Sequence, residues 1–137
     1  MFNQQKKYFR KKLHSVQCSI YDMQFKLFKT KEIREETRHE YDLLKSKREQ
    51  LILRIKLESE KKYDDPSKLN KDEFARLEDQ KTILDRDIKR KEEGSDDPNL
   101  QNMVSLRSLD MDILAEQEQL GALQSLKVMI KDYIKKL

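Results

Sequence analysis

The sequence predicts an all-α chain: an elongated antiparallel helical hairpin of coiled-coil character, with the return helix broken once. Three observations carry this. The 137 residues contain only two Gly and two Pro, so helices have few places to stop. Apolar residues recur at alternating spacings of three and four, the signature of a coiled-coil seam. The breaks divide the chain into segments of matching length.

The first helix is expected over residues 3–62. Its seam runs Phe9, Leu13, Val16, Ile20, Met23 and Leu27, and the same phase reaches Tyr41, Leu44, Leu51 and Ile55. Between these the phase passes through Thr30, Arg34 and Thr37, and later Arg48, so the seam turns polar in its middle. YDDPSKLN (Tyr63–Asn70) ends this helix, because Pro66 lacks a backbone donor and restricts its neighbour. Asn70, three residues before Glu73, starts the second helix in the manner of a capping box. That helix, over 71–93, offers Phe74, Leu77, Leu84 and Ile88, with Lys81 in the same row.

GSDDPN (Gly94–Asn99) is the second break. Gly94 suits a left-handed helix end, Asp97 a cap and Pro98 a first turn. The third helix is placed at 98–137, with a seam of Leu106, Leu109, Ile113, Leu120, Leu123, Ile130, Ile134 and Leu137. Glu116 and Lys127 are its polar members. At 1.5 Å per residue the first helix is about 90 Å long, and the other two together about 95 Å. Matched lengths favour one hairpin turning near Pro66. Gly94 then falls beside residues 35–40, Phe9 faces Ile130, Val16 faces Leu123 and Leu13 faces Leu126. A three-helix bundle folding back at Gly94 is the alternative. Either way residues 1–137 are expected to form a single helical domain.

Charge is segregated along the chain. Residues 1–31 carry eight Lys/Arg and one Asp, whereas residues 92–118 carry eight acids and one Arg, two blocks that the net +4 conceals. Gln5–Lys12, QKKYFRKK, opens the first helix, and Lys6, Lys7, Arg10 and Lys11 cluster on one side. Further along that side Tyr21, Phe25 and Phe28 form a second apolar stripe, roughly 100° from the seam. Leu126, Met129 and Tyr133 widen the third helix in the same way. Exposed stripes of this kind mark partner surfaces, so Tyr21, Phe25, Phe28 and Tyr133 are the candidate contact residues. Lys6, Lys7, Arg10 and Lys11 are a candidate charged patch for an acidic protein partner or for phosphates. The bland readings are a wider core for the aromatics and a solvated flank for the cations.

Catalytic chemistry finds little footing. Glu36 and His39 have the spacing of one half of a di-iron ligand pair, but His14 is the only other histidine. His14 stands one turn from Cys18, a pairing that can activate a thiol, but a hairpin seam offers no cleft for substrate. Neither a Gly-rich phosphate loop nor a nucleophile motif occurs. The expectation is a non-enzymatic structural or adaptor protein that needs no cofactor or metal. It would work by protein contacts or self-association, within a virion, a secretion apparatus or a scaffold. A nucleic-acid-associated protein using the basic start is the alternative. One cysteine and the lack of a membrane-length apolar run point to the cytoplasm or an intracellularly assembled particle.

Overall fold

The computed structural model describes residues 2–60, 71–100 and 103–137. The chain is all-α. The described helices are α1 (Phe2–Glu60), α2 (Lys71–Glu93) and α3 (Leu106–Lys136), with a 3-10 turn at Pro98–Leu100 between α2 and α3 and no strand among the described residues. Neither Gly nor Pro interrupts residues 2–60, which lets α1 run for 59 residues. The expected turn at Pro66 and the cap at Asn70 lie outside the described residues.

The helices pack as two compact units: residues 1–34 with 109–137, and residues 35–108. In the first unit α1 pairs with α3. Val16, Ile20 and Ile130 are buried there, with Phe9, Leu13, Leu120, Leu123 and Ile134 packed around them. Leu13 and Leu123 thus share one seam, as their spacing predicts. The pairing is antiparallel, since Phe9 meets Tyr133, Thr30 meets Glu116 and Arg34 meets Asp110. Those contacts run three to seven residues, about one to two turns, later in α3 than the length argument places them. Leu126, expected opposite Leu13, is left 37% exposed.

In the second unit α1 pairs with α2, again antiparallel. Leu77, fully buried, and Leu51 lie in its seam. The Tyr41 hydroxyl donates to Glu92 at 3.1 Å, Arg48 to Asp85, and Arg54 to Glu73 at 3.3 Å. Lys91 donates to Glu40, so Gly94 does fall close to residues 35–40.

Helix α2 ends as its sequence suggests. Gly94 has φ +91°, the left-handed region that a Cβ penalises, and its N–H donates to the Arg90 carbonyl at 2.9 Å. The start of α3 departs from expectation, at Leu106 rather than residue 98. Asp97 accepts from the Asn99 amide at 2.9 Å, but caps only the 3-10 turn. The true cap is Ser105, whose hydroxyl accepts from the Ser108 amide at 3.1 Å while the Ser108 hydroxyl accepts from the Ser105 amide at 3.0 Å. This is a capping box with Ser where Glu is usual. A Cβ on Gly94 would stand 3.5 Å from the Ser105 hydroxyl oxygen, so the connection returns almost to its start. It consumes chain without advancing along α1, and this accounts for the shifted partners in α3.

Candidate interaction face

The polar members of the seams are matched to one another. Thr30 donates to Glu116 Oε1 at 2.8 Å in the first unit, beside the Arg34–Asp110 ion pair. In the second unit Arg48 meets Asp85, which also accepts from Lys81 at 3.2 Å. Polar partners at one level of an apolar seam specify register, because a slip would leave each of them unpaired. These residues are structural, and the inward faces of the helices are spent on packing.

The hydrogen bond from Arg48, with a smaller one from Lys81, holds the Asp85 carboxyl below its ordinary value. A depressed folded value means that the stabilisation is complete above the unfolded value, near 4, and is lost as pH falls through the folded one. Both side chains are more than a third exposed, so solvent screens the pair. Asp85→Asn should flatten the acid limb of the stability–pH profile below about pH 4, with an effect at pH 7 under about 1 kcal/mol. Urea melts at a series of pH values check this, and an unchanged acid limb would contradict it.

Glu116 is 6% exposed and its Oε2 has no hydrogen-bond partner. Thr30 already has a second acceptor, the Lys26 carbonyl at 3.0 Å. Glu116→Leu therefore removes an orphaned carboxylate oxygen and strands nothing. The expected outcome is a gain of about 1–2 kcal/mol, read as a higher melting temperature. A lower one would mean that the contact with Thr30 outweighs the cost of burial.

The outward faces differ. Tyr21, Phe25 and Phe28 are 62%, 63% and 57% exposed, on the side of α1 away from α3. Lys29 Nζ lies 5.5 Å from the centre of the Phe25 ring and 3.5 Å from Glu32 Oε2. Earlier on the same face, Asn3, Lys6, Lys7, Arg10, Lys11 and His14 line a shallow open groove. Basic, aromatic and acidic side chains thus follow one another along the outside of one helix. Tyr133 stands apart from this row: its ring packs edge-on against Phe9 at 4.7 Å, leaving it 47% exposed.

Two features escape the sequence reading. Antiparallel pairing brings Lys127, Lys131, Lys135 and Lys136 of α3 to the end of the unit that already holds Lys6, Lys7, Arg10, Lys11 and Lys12 of α1. Met111 and Leu114, three residues apart and off the seam, are 62% and 61% exposed on α3. The Met-x-x-Leu spacing outside the seam phase was the available signal for the second feature. The first becomes visible only once the pairing direction is known.

The candidate chemical pairs are open to solvent. Cys18 Sγ lies 3.7 Å from His14 Nε2 on the exposed side of α1. Glu36 and His39 are both exposed, and among the described residues no three His, Cys, Asp or Glu side chains come together to hold a metal. No described helix is long and apolar enough to cross a membrane. No family model matches the chain, and no match is found among curated proteins or solved structures.

Proposed function

We propose that this protein is a non-enzymatic structural or adaptor component whose outward helix faces bind other protein chains. The setting would be a larger assembly such as a virion, a secretion apparatus or a cytoplasmic scaffold. The observation behind this reading is the exposure of Tyr21, Phe25 and Phe28 on one helical side, while the seam supplies the internal packing. Aromatic rings carry large apolar area and anchor interfaces. The cations earlier on the face would orient a partner and speed encounter more than they would hold it.

The basic end of the first unit favours a second reading, a nucleic-acid-associated protein, since clustered Lys and Arg contact phosphates. Two variants separate the readings. Phe25→Ala with Phe28→Ala should weaken protein association at every salt concentration. Lys6, Lys7, Arg10 and Lys11 changed together to Gln should weaken it chiefly at low salt. Sedimentation velocity follows association, and fluorescence anisotropy follows binding to a duplex DNA oligonucleotide. Tight, salt-sensitive DNA binding abolished by the Gln variant would reverse the ranking.

A further inference from the structure

We infer that the partner seated on the outward face of α1 is a second copy of this chain, lying antiparallel to the first. The inference rests on the interaction-face reading above and names its occupant. The face is complementary to its own reverse. With Tyr21 set against Phe25 of the second copy, Phe25 meets Tyr21, Cys18 meets Phe28 and His14 meets Glu32, every contact occurring twice. Arg10, one turn beyond His14, comes within reach of the same Glu32.

Charge over the whole unit favours this direction. One end carries Lys6, Lys7, Arg10, Lys11 and Lys12 with Lys127, Lys131, Lys135 and Lys136, offset only by Asp132. The other end holds Asp110, Asp112, Glu116 and Glu118 of α3 and Glu32 of α1 against Lys26, Lys29, Lys31 and Arg34 of α1, and is close to neutral. Parallel copies would set basic end on basic end, whereas antiparallel copies set each basic end beside one that is close to neutral and so avoid that repulsion. The exposed areas of three rings on each copy would supply roughly half of the 1,200–2,000 Å² that stable interfaces bury. Lys29, already over Phe25 and paired with Glu32, lies at the edge of that apolar centre.

A charge exchange tests the register. Arg10→Glu with His14→Glu places acid against acid, and Glu32→Lys places base against base. Each variant alone should self-associate about tenfold or more weakly than wild type at low salt, while an equimolar mixture recovers. Sedimentation equilibrium reads this. A nitroxide on Cys18, the single cysteine, reads direction. The antiparallel register offsets the two labelled positions by ten residues, about 15 Å along the axis and about 18 Å between Cα atoms, against about 9 Å for a parallel pair. A mixture no tighter than its components, or a parallel distance, overturns the inference. A wild type that stays monomeric at high concentration also overturns it, and leaves open the reading that a different protein binds this face. Self-association that survives Phe25→Ala with Phe28→Ala overturns both.

Discussion

Ile20→Asp should undo the pairing of α1 with α3. Ile20 is 3% exposed and packs with Val16 and Ile130, flanked by Leu13, Leu120 and Leu123. The change removes a buried butyl group, worth about 2–3 kcal/mol, and puts a carboxylate where no donor awaits it, which adds several more. A two-helix unit has one thin seam, so the loss is a large share of the roughly 5–15 kcal/mol that holds a domain together. Circular dichroism should show reduced helicity and a melting temperature lower by about 10 °C or more. Ile20→Val, which keeps the face apolar, should cost only about 1 kcal/mol. An Ile20→Asp melt that overlays wild type would mean that the seam is misassigned.

Leu77→Ala is the corresponding expectation for the second unit. Leu77 is the one large apolar side chain of α2 that is completely buried, and α2 is only 23 residues long. Truncating it should cost about 2–5 kcal/mol, according to how far the neighbours close over the cavity. Amide exchange should then quicken along 71–93 while residues 9–27 keep their protection. A shift in melting temperature under about 2 °C would show that α2 is held mainly by its ion pairs, Arg48–Asp85 and Arg54–Glu73.

The seams were legible in the sequence because a heptad is helix geometry written in residue types. Each α1 position named from Phe9 to Ile55, including Thr30, Arg34, Thr37 and Arg48, is buried or half-buried. Which polar residues pair was not legible, since Thr30 reveals nothing of Glu116 until register is known. Register failed for a physical reason. Tyr41 meets Glu92, so an uninterrupted α2 would bring residue 99, seven further on, to Arg34, seven back; the structure brings Asp110 there instead. Length matching assumes steady advance, and the Gly94–Ser105 connection closes on itself. The α3 boundary failed because Pro98 is a strong start signal, yet it opens only a 3-10 turn, while Ser105 and Ser108 cap each other without the usual Glu. The aromatic stripe was visible as excess apolar surface beyond the needs of one seam. The separation of Tyr133 from it was not, because that depends on Phe9 having taken the ring.

The central claim is a division of labour on α1, seam inward and rings outward toward another copy. The melting temperature of the wild type across a wide range of protein concentration tests it most directly. Association that favours the folded state makes melting depend on concentration. The expected result is a melting temperature that climbs with concentration, and a Phe25→Ala/Phe28→Ala variant that matches dilute wild type and does not climb. A wild-type value independent of concentration, or a double variant already destabilised at high dilution, would contradict the account: the rings would then be serving the fold itself.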